Sequence, residues 1–256
     1  CKRGNAGFQL NDKYKFTGLT KKQGSTILHQ IEALKDFGSV RKGDVGGWIK
    51  NEGNLSIEGN AWVSGNAQVS GTAWVSGTAR VSGNTRVYGN AQVYGNVRVY
   101  GDARVYGDAW VSGNAQVYGT ARVYGTAWVS GNAQVYGNAW VYNNTWVSGD
   151  ARVYGTAWVS GTAQVYGNAQ VYGDAWLYSG QWGKSPLYIQ GTKYPVCMCA
   201  PQTLQIGGKT YTISEWLKRG ERIAMYNGFT QAEISEYRAY VELAARLYQD
   251  VRYDRI

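Results

Sequence analysis

Hydrophobic positions keep a six-residue beat through nearly half of the chain. An aliphatic residue stands at every sixth position from Ile57 to Leu177, and valine fills every station between them. A unit such as Val87-Tyr88-Gly89-Asn90-Ala91-Gln92 sets the valine and the alanine on one parity. Tyr or Ser, and Gln, Arg or Trp, take the other. With period two, one parity faces a core and the other faces out. Each stretch like Ala91 to Tyr94 is predicted to be a short strand. The Gly-Asn pair after it is the bend, because glycine tolerates positive φ and Asn or Asp comes next best.

The aliphatic residue followed four positions later by a small one, as in Val63 to Ala67, Val69 to Ala73, Val111 to Ala115 and Val165 to Ala169, resembles the hexapeptide-repeat proteins of left-handed parallel β-helix fold. The resemblance covers residues 57 to 178. It implies three hexapeptides per triangular turn, so that the stations make about seven turns at ~4.8 Å each, roughly 34 Å of rod. Gly-Asn is also a hairpin signal, and a meander of short antiparallel strands is the alternative. Such a sheet would bury its valines on one face with nothing large enough to cover them, whereas a coil buries its own. The expected fold is thus an all-β solenoid in three parts. Residues 1–56 form a small β-rich N-terminal cap, 57–180 the left-handed β-helix, and 181–256 a C-terminal hairpin and two-helix cap or oligomerisation region.

Solenoids leave an open sheet edge at each end, which invites polymerisation, so both flanks read as caps. In the first, Tyr14 to Thr17 and Thr26 to Ile31 are predicted strands around a polar link, Gly18 to Ser25. The step Gly46-Gly47-Trp48-Ile49 then leads into the first coil. The stretch from Ile27 to Val63 resembles the opening of uncharacterised hexapeptide-repeat proteins of bacteria and phages, some named as transferases on fold alone. Beyond the coil, Pro186 to Ile213 shows short strands with a Gly207-Gly208 turn, then a helix after Ser214. A second helix opens with a capping box of Thr230 and Glu233 and carries a stripe of Ile234, Tyr237, Val241, Ala244, Tyr248 and Val251. Lys218, Arg219 and Arg222 nearby raise a helix-turn-helix DNA reader as an alternative, but paired short amphipathic helices more often make a cap or a subunit contact.

The formal net charge of +9 sits mostly in the flanks. A rod without a continuous basic stripe is not expected to bind duplex nucleic acid. Cys1, Cys197 and Cys199 give no even disulfide framework, which points to a reducing, cytoplasmic setting in a bacterium or a phage-infected cell. Cys1 as a lipidated lipoprotein start is the minor alternative. No segment approaches the ~20 apolar residues of a membrane helix.

Catalysis is not expected. The acyltransferases of the resembled fold look for a base in a histidine near a subunit boundary, and the related carbonic anhydrases hold a metal with several; this chain has one, His29, in an alternating run that reads as a strand. No hexapeptide is broken by a lid-like loop. Asp102, Asp108, Asp150 and Asp174 hold the same corner position as the recurrent Asn and Thr, which marks them as turn residues. No metal set, phosphate-cradling loop or dinucleotide fingerprint is present, so no cofactor is expected.

Stacking the outward residues at eighteen per turn gives ladders. One face reads Gln68, Arg86, Arg104, Arg122, Trp140, Trp158, Trp176, and another reads Trp74, Gln92, Trp110, Trp128, Trp146, Gln164. Like-on-like ladders stabilise a coil by themselves, about 0.5 to 1 kcal/mol per pair. The functional reading begins with Arg86, Arg104 and Arg122 beside Tyr88, Tyr106 and Tyr124, a site for an anion that carries an aromatic base, such as a nucleotide or cyclic nucleotide messenger. Trp110, Trp128 and Trp146 form the candidate contact between subunits. The resemblance implies side-by-side trimers. The expected function is a non-catalytic interaction or scaffold protein, with nucleotide sequestration, a filament or virion component, and a disfavoured acyltransferase as alternatives.

Overall fold

The computed structural model describes residues 10–248. The fold is a parallel β-solenoid of about eight turns with a strand region before it and a strand hairpin plus two helices after it. The chain divides into two compact units, Cys1–Gly125 and Thr126–Ile256.

In the first unit the sequence parity becomes a register. Val63, Val81, Val99 and Val117 are successive strand partners, as are Val69, Val87, Val105 and Val123, all in parallel pairing. The strands are two or three residues long, and the pairing continues through the bends by bonds such as Ser82 N–H to the Val99 carbonyl at 2.9 Å. The valine stations and most of the alanines between them are fully buried. A residue therefore meets its counterpart eighteen places on, as the hexapeptide-repeat resemblance implies, and the antiparallel meander is excluded. The corner glycines are fixed twice over. Gly89 has φ 73°, and a Cβ there would lie 2.9 Å from the Gly107 nitrogen of the next coil.

Two departures mark the start of the coil. Strand β1, Tyr14–Gln23, pairs antiparallel with β2, Thr26–Ala33, and is far longer than expected. The polar link around Gly18 is a bulge inside this hairpin, and the turn itself is Gly24-Ser25. Strand β3, Val45–Ile49, pairs antiparallel with β2 and parallel with the coil through Ile49 and Val69. The parallel coil thus begins before Ile57. Leu55, not Ile57, takes the next interior place and bridges Val75. Ile57 and Glu58 form a two-residue insertion at that corner, and Ile57 is only half-buried. Lys13 closes the insertion. Its buried Nζ donates to the carbonyls of Ser56 at 2.8 Å and Glu58 at 3.5 Å and lies 4.8 Å from the Phe37 ring centre. The Tyr14 hydroxyl donates to the Leu55 carbonyl at 2.9 Å.

The second unit repeats the parallel register, with Val135, Val153 and Val171 in one line and Val141, Val159 and Leu177 in another. Where Asn143 replaces the corner glycine it adopts φ 62°, the left-handed conformation Asn tolerates best after Gly. The last interior place is held by Trp182, partner of Val165. An antiparallel sheet of Tyr188–Gln190, Pro195–Ala200, Thr203–Ile206 and Lys209–Thr212 follows, in that order. Helix α1 spans Ile213–Tyr226 and α2 spans Gln231–Tyr248. Helix α1 starts earlier than the sequence suggested, because Thr212 and Glu215 form a capping box of their own. The Thr230 and Glu233 box is formed as expected. Ile234, Tyr237, Val241 and Ala244 are buried along α2, and Val251 lies outside the described residues.

Candidate ligand surface

Within each unit, in-register parallel pairing carries outward side chains onto their counterparts one coil away. Arg104 is the strand partner of both Arg86 and Arg122, so the three arginines stand in register on successive coils. Arg86 is exposed, and Arg104 and Arg122 are half-buried. The column continues the other way through Gln68 to Trp48.

The tyrosines lie alongside. Tyr88 and Tyr106 stack with centroids 4.8 Å apart and planes within 1°, and so do Tyr106 and Tyr124. Both faces of Tyr106 are therefore taken by its neighbours, which narrows the sequence reading that any of the three rings receives a base. Burial raises the pKa of Tyr106, as does Tyr88, while the charges of Arg122 and Arg104 oppose the rise. The rings and the guanidiniums thus share one electrostatic environment.

Lys21 is a component the sequence analysis missed. Its Nζ sits 4.7 Å from the Trp48 ring centre, and its pKa is lowered by burial and, next, by the charge of Arg86. A fourth cation therefore sits over Trp48, in the column that continues from the arginines, and feels the charge of Arg86. The signal was the run of Thr and Lys before Gly24, which reads as a link unless β1 is allowed to cross its bulge at Gly18.

The tryptophans divide between the units. Trp110, in the first, pairs with Gln92 and presents its ring edge-on to Tyr94 at 6.3 Å. Trp128 and Trp146, in the second, stack at 5.3 Å and are 40% and 49% exposed. Trp140 and Trp158 stack at 5.0 Å on another face of that unit, with Trp176 the strand partner of Trp158. Within the pairs Trp128–Trp146 and Trp140–Trp158 each ring covers one face of its partner.

The remaining candidates have structural surroundings. His29 lies in β2 with its ring tilted against Phe16 at 4.9 Å. Cys197 and Cys199 are buried free thiols, pushed up by burial to about 12 and about 11. Among the described residues no group of three or more His, Cys, Asp or Glu is placed to hold a metal. No described helix is long and apolar enough to cross a membrane. Arg219 is paired with Glu215 at 2.8 Å and lies over Tyr211. The corner aspartates accept from the preceding coil, as in Asn84 Nδ2 to Asp102 Oδ1 at 3.0 Å and Asn90 Nδ2 to Asp108 Oδ1 at 2.8 Å.

Against known proteins, six segments of the coil match the YdcK beta solenoid repeat model: residues 79–95, 91–107, 97–113, 115–131, 133–149 and 163–179. The arginine and tyrosine ladders fall largely within the matched stretches. No curated protein matches the chain.

Proposed function

We propose that the chain is a non-catalytic interaction protein whose coil is a frame for side-chain ladders, and that its ligand face is Arg86, Arg104 and Arg122, with Lys21 over Trp48 further along the same column. The carrying observation is the direct strand pairing of Arg104 with Arg86 and Arg122. Like charges held one coil apart repel by about 1 kcal/mol per pair even in water, and an anion laid across them reverses the sign. The ligand that fits is a nucleotide or cyclic nucleotide, its phosphate on the guanidiniums. Its base stacks on the face of Tyr88 turned away from Tyr106, where the preceding coil has Ser70 in place of a ring.

The reading includes no catalytic step, since the one histidine of the chain, His29, is engaged with Phe16 in a strand. Subunit contact through the exposed Trp128 and Trp146, a left-handed coil of the hexapeptide-repeat kind and a cytoplasmic setting belong to the same proposal. Calorimetry with mono-, di- and cyclic nucleotides tests it. At least one binds at micromolar or tighter Kd, and Arg104→Ala weakens that binding at least tenfold, about 1.4 kcal/mol. A panel without a binder, or an Arg104→Ala variant that binds equally well, overturns it.

A further inference from the structure

Helix α1 is apolar along one face but does not fill it. Ile213 and Trp216 are buried, and one turn further the same face carries Gly220 and then Ala224. Glycine in the middle of a helix costs about 1 kcal/mol relative to alanine, a cost commonly offset where a second backbone comes close. No such approach exists here. A Cβ on Gly220 would meet only the Trp216 ring, at 3.3 Å, and nothing of α2. The missing bulk is instead a cavity of about 200 Å³, with Trp216, Gly220 and Ile223 on one wall and Ile234 and Val241 of α2 on the other.

The chemistry of the cavity is divided between its walls and its mouth. Polar groups in the wall are already satisfied. Trp216 Nε1 donates to the Leu204 carbonyl at 3.0 Å, and the Tyr237 hydroxyl donates to the Tyr194 carbonyl at 2.7 Å. An occupant therefore meets mainly apolar surface inside. At the rim Arg238 is held by Glu242 at 3.0 Å and faces Glu221 at 3.9 Å, one cation between two carboxylates. Lys209 and Lys218, also on the rim and exposed, form no ion pair among the described residues. The two lysines outweigh the one surplus carboxylate beside Arg238, so the net charge at the mouth is positive.

We infer that this cavity is a binding site for a small amphipathic carboxylate, with its apolar body between α1 and α2 and its anionic end at Lys209 and Lys218. The volume is below the ~300–1,000 Å³ typical of sites for drug-sized ligands, so the body is a short aliphatic chain or a single aromatic ring. This site is separate from the arginine column and stands or falls without it.

Titration of the full chain with octanoate, phenylpropanoate, octanol and octylamine, followed by calorimetry or amide chemical shifts, is the test. At least one of the two acids binds, and which of them binds tighter identifies the body; octylamine binds at least tenfold more weakly. Gly220→Met fills the space, abolishes acid binding and leaves the thermal midpoint unchanged or higher. The double variant Lys209→Glu, Lys218→Glu, which alters only exposed side chains, weakens the acid at least tenfold and removes its advantage over octanol. The inference is overturned if neither acid binds, if the amine binds as well as the acids, or if the double variant binds the acids undiminished.

Discussion

Asn84 receives a hydrogen bond from Asn66 and donates its own to Asp102, at 3.2 and 3.0 Å, each step crossing one coil. The direction is the same at the other corners: Thr72 donates to Asn90 and Asn90 to Asp108, Asn132 donates to Asp150, and Thr156 donates to Asp174. This one-way traffic explains which residues alternate there. Asn accepts and donates, so it continues a chain; the hydroxyls of Thr72, Thr78, Thr126 and Thr156 donate onward to the next coil; an ionised Asp only accepts and ends a chain. Interchanging the roles carries a predictable cost. Asn84→Asp places a carboxylate against that of Asp102 and removes the donor between them. A destabilisation of about 1 kcal/mol is expected, shrinking in high salt because the corner is exposed. Urea denaturation at low and high ionic strength measures it, and an unchanged midpoint at low salt refutes the assigned direction of donation.

At the scale of elements, the first coil shows where sequence pattern and packing part company. Ile57 keeps the six-residue beat, yet Leu55 is the buried partner of Val75. Leu55→Ala should therefore cost about 2–4 kcal/mol, and Ile57→Ala under about 1 kcal/mol. Thermal or urea denaturation of the two variants decides between them, and the reverse ranking would restore the regular beat as the structural one. The coil itself was legible because period two and a glycine corner repeat without a break, so every unit votes for the same register. Leu55 was not legible, because an insertion of two residues preserves parity. It is betrayed only by Lys13, whose ammonium reaches the freed carbonyls from more than forty positions away. Lys21 was hidden for a related reason: Gly18 marks a turn in local grammar, but here it is a bulge within β1. The arginine and tyrosine columns were readable by counting at the eighteen-residue turn that the family resemblance implies. That the tyrosine faces cover one another was not, since counting places rings side by side without fixing their planes.

For the molecule as a whole, the buried titratable groups set how stability responds to alkali. Lys13 has its pKa lowered from 10.5 to about 8, by burial first and the charge of Lys35 second. Between those values the unfolded chain holds a proton the folded one has released, so stability rises with pH across that window, by on the order of 2–3 kcal/mol if completed. Lys21, also lowered, acts in the same direction. The thiols oppose this. Cys197 and Cys199 are raised from 9.0 to about 12 and about 11, so above about pH 9 the folded chain keeps protons that the unfolded chain loses, and stability falls. Just above about pH 8 the lysine acts first. Beyond about pH 9 two thiols outweigh it, joined at higher pH by tyrosines such as Tyr14 and Tyr248, whose pKa values burial also raises. The expected result is a stability maximum near pH 9 in urea midpoints collected from neutral to strongly alkaline buffer. Lys13→Met loses the rise on the lower side, because no buried ammonium remains to be discharged. Cys197→Ala with Cys199→Ala carries the maximum toward higher pH, because the opposing protons are gone. A native chain whose midpoint declines steadily from neutrality, unaltered in slope by Lys13→Met, would show that the lysine at the inserted corner is not charged and buried as the fold requires.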